Sequence, residues 1–188
     1  MSVVQNPDSP QKRQLKVSLN YLLLMFDLPP ERGIPYLDRS TGDILIITNE
    51  DRRQYDYFLE TLEPGDDRSP ERLDALMQAQ GVPFLVREVL REVAEVNAEP
   101  DRYLRIPGEN PVLDVQDMSA FIDEVEDGEL QELLEACFAG GGNLSRYKAI
   151  LLKRDRQALK RWMDFRQERQ HKRMMKWLST QGIEPVTG

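Results

Sequence analysis

The stretch IPYLDRSTGDILIIT, Ile34–Thr48, decides the fold. Two runs of β-forming residues, Ile34–Leu37 and Asp43–Thr48, flank the five residues Asp38 to Gly42. Asp and Ser hydrogen-bond their own backbone, and Gly admits positive φ, so the stretch reads as a β-hairpin. Ile44–Ile47 shows little alternation, as a strand covered on both faces does. Asp38 and Asp43 stand at either end of the loop. Two carboxylates there are a candidate pair for acid–base chemistry, but Asp at hairpin ends is ordinary turn chemistry, which is the preferred reading.

Upstream, residues 1–11 hold little that can be buried and read as a disordered tail. From Lys12, the spacing of Leu15, Leu19, Leu22, Leu23 and Phe26 predicts a helix to about Asp27, stopped by Pro29, Pro30 and Gly33. Downstream, Asn49 is the expected N-cap of a helix carrying Tyr55, Phe58, Leu59 and Leu62. Pro64–Ser69 reads as a linker into a helical insertion at about 64–100. One helix there starts at Ser69-Pro70 and carries Leu73, Leu76 and Met77. A second starts at Pro83 with Phe84, Val86, Val89, Leu90, Val93 and Val96 inside. Tyr103–Ile106 is a third strand candidate.

The remainder is expected to be helical, and it reverses charge. Val112–Gly142 has nine carboxylates and no Lys or Arg; Asn143–Gly188 has twelve Lys or Arg against four carboxylates. Adjacent segments of opposite sign either pair with each other or each hold a partner. The reading here is that the acidic region 114–135 packs near the basic region 146–176. Leu130, Leu133, Leu134, Cys137 and Phe138 are assigned to one helix, with Cys137 and Phe138 on its apolar face. Asp155 is the expected cap of the last and longest helix. On that helix a wheel puts Leu159, Met163, Met174, Trp177 and Leu178 on the core stripe, with Arg161, Arg169, Lys172, Arg173 and Lys176 opposite. Trp162 and Phe165 fall among the bases. Rings interleaved with Arg make a nucleic-acid or peptide surface; packed rings covered by basic stems give the same pattern.

Several of these segments together carry a resemblance: Tyr36-Leu37-Asp38, Thr41-Gly42-Asp43, Phe121-Ile122-Asp123, Arg146-Tyr147-Lys148, Trp162 with Phe165-Arg166 and Glu168-Arg169, then Trp177-Leu178 and Gly182-Ile183. In this order the chain resembles a family of bacterial proteins of uncharacterised function. The similarity spans roughly 15–62 and 102–184, with 64–100 as extra material. It implies no activity, substrate or cofactor. It does imply that the hairpin and the last two helices belong to one unit.

Composition narrows the function classes. A net charge of −8 opposes non-specific binding of nucleic acid by the whole molecule. One cysteine, Cys137, leaves no internal disulfide and no multi-Cys zinc site, and one histidine, His171, removes most His-based metal sites and His-paired dyads. Cys137 reads as a buried hydrophobe and His171 as part of a solvated basic run. The longest apolar run, Tyr21–Phe26, is too short to span a membrane. Gly140–Gly142 before Arg146 and Lys148 is a candidate anion site, although the phosphate-loop and dinucleotide patterns are absent. Val125 breaks the register of a calcium loop in Asp123–Glu129. No cofactor or metal is expected.

The expectation is therefore an acidic, cytoplasmic α+β protein, mostly helical with a small antiparallel sheet: a tail at 1–11 and one domain at 12–184 with the 64–100 insertion. It is read as a non-enzymatic interaction or regulatory protein that binds a protein partner through segregated acidic and basic helical faces. The alternative is nucleic-acid or ribosome binding through the bases of 146–176. A hydrolase using Asp38 and Asp43 would need a cleft beside the hairpin. Candidate binding residues are Arg146, Lys148, Arg161, Trp162, Phe165, Arg166, Arg169, Lys172 and Arg173; the hairpin motif is Tyr36, Asp38, Thr41, Gly42 and Asp43.

Overall fold

A computed structural model describes residues 13–63, 65–141, 143–154 and 156–186. The expected tail at 1–11, Pro64 of the linker, Gly142 of the triglycine and the Asp155 cap lie outside the described residues. The chain divides into two compact units, Met1–Glu109 with Gln181–Gly188, and Asn110–Thr180. The fold is α+β, mostly helical with a small antiparallel sheet.

In the first unit the order is β1 (Arg13–Lys16), α1 (Leu19–Met25), a 3-10 turn (Pro30–Arg32), β2 (Ile34–Asp38), β3 (Ile44–Ile47), α2 (Asn49–Glu60), α3 (Pro70–Ala79), α4 (Phe84–Ala98) and β4 (Tyr103–Arg105). The strand β5 (Ile183–Val186) joins this unit after the chain has passed through the second. The hairpin forms as its sequence predicts. Tyr36 of β2 pairs with Leu45 of β3 on one side and with Arg105 of β4 on the other, both antiparallel.

The start of the chain differs from expectation. Leu15 lies on β1 rather than on a helix, and β1 pairs in parallel with β5, Arg13 opposite Ile183. Leu15, Leu19 and Leu22 fit a helical period, but the backbone of residues 13–16 is claimed by a strand from the far end of the chain, which local spacing cannot reveal. Gly42 shows how closely the hairpin tip approaches β1. Its φ is +86°, and a Cβ there would lie 1.9 Å from the Lys16 carbonyl oxygen, so only glycine fits. The start of α2 also shifts. Thr48, not Asn49, is the N-cap, and it forms a capping box with Asp51.

The helices of 64–100 are not an appendage. Leu73 and Met77 of α3, and Leu90, Val93, Ala94 and Val96 of α4, are buried in one cluster with Ile47, Tyr55, Phe58 and Tyr103. Tyr103 of β4 and Tyr36 of β2 join the cluster. Phe84, expected inside, is exposed at the first residue of α4.

The second unit is α5 (Pro111–Ile122), α6 (Gly128–Ala139), α7 (Leu144–Arg154) and α8 (Arg156–Thr180). Side chains cap three of these starts: Asn110 accepts from the Val112 amide, Asp127 from those of Glu129 and Leu130, and Asn143 from that of Arg146. The core joins Met118, Phe121 and Ile122 of α5, Leu130 and Leu134 of α6, Tyr147 and Leu151 of α7, and Ala158 and Trp162 of α8. On α6, Leu130, Leu134 and Cys137 are buried at helical spacing, whereas Leu133 and Phe138 turn outward. That narrows the face assigned from sequence.

The core stripe of α8 is also displaced. Ala158, Trp162, Gln170, Met174 and Leu178 are buried, and Met163 is 56% exposed. Steps of four residues trace a ridge inclined to the helix axis. A single averaged wheel over 25 residues smears such a ridge and misplaces its edges.

Candidate functional site

The opposite charges of the second unit meet along α5 and α8. Asp114 and Asp117 are spaced i, i+3 on α5, so they share a face. Arg166, Arg169 and Arg173 are spaced i, i+3, i+7 on α8 and do the same. The Arg166 guanidinium donates to Asp114 Oδ1 at 2.8 and 3.0 Å. Arg169 donates to Asp117 Oδ1 at 2.6 Å, and Arg173 donates to both Asp117 oxygens at 2.9 and 2.7 Å. The Asp117 side chain is 0% exposed. Burial pushes its carboxyl up, but the hydrogen bonds from Arg173 and Arg169 outweigh this and hold it below the usual carboxylate range. Arg154 and Glu129 form a further pair between α7 and α6. The acidic and basic regions thus pack together as their order in sequence predicts.

This pairing takes up much of the basic face. Arg166, Arg169 and Arg173 face carboxylates, Lys172 pairs with Glu168 one turn back, and Trp162 is fully buried among Phe121, Tyr147 and Phe165. Arg146 is exposed and Lys148 half-buried on α7, and neither has an ion pair among the described residues. Gly140 ends α6 as its C-cap, and Gly141 follows at φ +68°.

Arg161 and Phe165 come together at a cavity of about 560 Å³. Its wall is Phe121, Glu124, Val125, Glu126 and Asp127 from the end of α5 and the turn into α6, with Arg161, Asp164 and Phe165 of α8. The Phe121 and Phe165 rings lie 5.4 Å apart at 59°. The Arg169 guanidinium sits 5.4 Å from the Phe165 centroid. Sequence reading singled out Arg161 and Phe165 but missed the acidic and aromatic partners. Asp123–Glu129 stood out only as a failed calcium loop. The signal that spoke for a site was the coincidence of a carboxylate-rich turn and a helix whose ring faces it.

The hairpin motif of the first unit is tied into its own surroundings by hydrogen bonds. Asp38 is buried, and its Oδ1 accepts from the Ser40 amide and hydroxyl at 2.6 Å each. Arg102 donates to it at 2.7, 3.1 and 3.2 Å. Burial pushes the Asp38 carboxyl up, and the Arg102 and Ser40 hydrogen bonds more than reverse that, to about 2. Asp43 is exposed; its carbonyl accepts from the Asp38 amide, and its amide donates to Thr41 Oγ1. The Tyr36 hydroxyl accepts from Arg52 at 2.7 Å. Asp38 thus ties the hairpin to the β4 side of the sheet.

A pH dependence follows. The folded pKa of Asp38 lies below its unfolded value of about 3.9, as does that of Asp117 in direction. Their stabilisation is therefore present above about pH 4 and lost as pH falls towards 2. For Asp38 alone the loss is about 2 kcal/mol. Urea midpoints measured from neutral pH down to pH 2 should fall across this window, and less steeply in Asp38→Asn. A flat midpoint would show that neither carboxylate is held as described.

Comparison with known proteins adds one result. The model of a family described as Uncharacterised protein family (UPF0158) matches residues 85–188. The chain belongs to that family. The matched span opens at the start of α4 and runs through β4, the second unit and β5, so α4 lies inside the family's common part although the resemblance read from sequence left it out. No curated protein and no solved structure matches the chain. Among the described residues no helix is long and apolar enough to cross a membrane.

Proposed function

We propose that this family member is a non-enzymatic interaction or regulatory protein of the cytoplasm, and that its second unit binds a basic protein partner through an acidic face. The observation that carries the reading is the internal use of the basic face by Asp114 and Asp117. Outward charges of both signs remain, the bases on α7 and α8 and the carboxylates on the stretch from the end of α5 through α6. Asp123, Glu124, Glu126, Glu132 and Glu135 are exposed, and Leu133 and Phe138 are exposed on the same stretch. Apolar side chains among charges of one sign suit a partner of the opposite sign, which the charges steer and the apolar groups retain. The groups that sequence offered for catalysis support a non-enzymatic role: Asp38 is ion-paired, Cys137 is buried, and Asp43 and His171 are solvated.

The test is capture of partners from the native cell, with and without nuclease, by the tagged protein and by Glu132→Lys/Glu135→Lys. A basic protein that survives nuclease and is lost in the charge-reversed variant is expected. If capture depends on nucleic acid, and Arg146→Glu/Lys148→Glu rather than the acidic variant abolishes it, the nucleic-acid alternative replaces this reading.

A further inference from the structure

The cavity between the end of α5 and α8 has a lining unlike the rest of the acidic face. Half-buried Phe165 supplies a ring surface with the buried Phe121 next to it, Glu124, Glu126, Asp127 and Asp164 supply four carboxylates, and Arg161 is the single cation of the wall. Asp127 is committed to capping α6. Glu124, Glu126 and Asp164 have no ion pair among the described residues. The volume of about 560 Å³ falls within the range of roughly 300–1,000 Å³ typical of ligand sites.

From this lining we infer that the cavity receives an arginine side chain of the basic partner, its guanidinium against the Phe165 ring and its N–H groups on the carboxylates of Glu124, Glu126 and Asp164. The inference rests on the reading of the second unit as the receiver of a basic partner, and it names where that partner anchors. Each part of the lining narrows the ligand. Four carboxylates repel phosphate and disfavour a purely apolar group. Among the described residues, no group of three or more acidic, His or Cys side chains is placed to hold a metal ion. The carboxylates of this wall suit an organic cation instead. Aromatic rings beside carboxylates attract a guanidinium through the ring face and through charge-assisted hydrogen bonds, and arginine does both more readily than lysine. Arg169 already places a guanidinium by the Phe165 ring, so this ring accepts such a neighbour within the fold itself.

The experiment titrates the full-length protein with the blocked tripeptide acetyl-Gly-Arg-Gly-amide, with its neutral citrulline counterpart and with spermidine, following the Phe121 and Phe165 ring resonances. The arginine peptide should shift both rings, and the citrulline peptide should not. Glu124→Gln/Asp164→Asn should weaken binding by about tenfold or more. Glu71→Gln/Asp101→Asn removes the same charge from exposed positions of the first unit and should leave binding unchanged. Both altered pairs are exposed, and thermal unfolding confirms that each variant is folded. Equal weakening by the two pairs would reduce the effect to net charge and overturn the inference. Binding of spermidine without the peptide would overturn the peptide source. If Glu132→Gln/Glu135→Gln abolishes peptide binding and the cavity pair does not, the cavity fails while the acidic face stands. If the peptide binds the cavity but the native cell yields no basic partner, the functional reading fails and the cavity stands.

Discussion

Deleting residues 64–100 and joining the ends with a short flexible linker will abolish cooperative thermal unfolding of the first unit. The length and linker-like start of this segment suggest dispensable material, and the packing says the opposite. Leu73, Met77, Leu90 and Val93 are each almost wholly buried. At about 1.5–3 kcal/mol per fully buried large apolar side chain, these four contribute roughly 6–12 kcal/mol before chain entropy is counted. That matches the entire net stability of a typical domain, about 5–15 kcal/mol. The deletion also uncovers Ile47, Tyr55 and Phe58, which share the cluster. Calorimetry and near-ultraviolet circular dichroism are the measurements, with dye binding to exposed apolar surface as a second readout. A sharp transition with native near-ultraviolet signal would mean that β3 and α2 find other cover, and the insertion view would return.

How much of this was legible in the sequence depended on the range of each interaction. The hairpin was legible because its signals are local: β-formers on both sides of a loop with Asp, Ser and Gly in the places where turns need them. The helix start at Ser69-Pro70 was legible for the same reason. The parallel pair of β1 and β5 was not, because neither Arg13–Lys16 nor Ile183–Val186 contains a local signal that outweighs the helical spacing of Leu15, Leu19 and Leu22. On α8, the inclined ridge through Trp162 and Met174 defeated a wheel that assumes a stripe parallel to the axis.

The site divided in the same way. Charge segregation was visible along the chain, and the pairing of the two segments followed from it. Which arginines the pairing consumes was not visible, although the i, i+3 spacing of Asp114 and Asp117 against Arg166, Arg169 and Arg173 contained the answer. An aromatic residue among arginines is read as a binding face only while the arginines are taken to be free. Once Asp117 claims Arg169 and Arg173, those two arginines leave the binding face, and the carboxylates that read as a solvated helix end stand beside the remaining bases as an accessible feature.

Trp162 and Phe165 separate stability from recognition. Trp162 is 0% exposed, with ring centroids of Tyr147 at 5.1 Å, Phe121 at 5.4 Å and Phe165 at 6.1 Å. Trp162→Ala therefore removes the largest buried side chain of the second unit and three aromatic contacts, each worth about 0.5–1.5 kcal/mol beyond burial. The expected cost is about 3–5 kcal/mol, read as a lowered urea midpoint at unchanged slope. Phe165 is half-buried at the cavity wall, so Phe165→Ala should cost less than half as much. Binding of the arginine tripeptide should show the reverse order once each variant is measured where it is fully folded. Phe165→Ala loses a ring that faces the ligand, whereas Trp162→Ala disturbs the cavity only through its support. Both properties must be read on the same variants, since unfolding mimics lost binding. If Phe165→Ala proves as destabilising as Trp162→Ala and leaves binding intact, Phe165 is core like its neighbour, and the carboxylates alone would have to hold the cation.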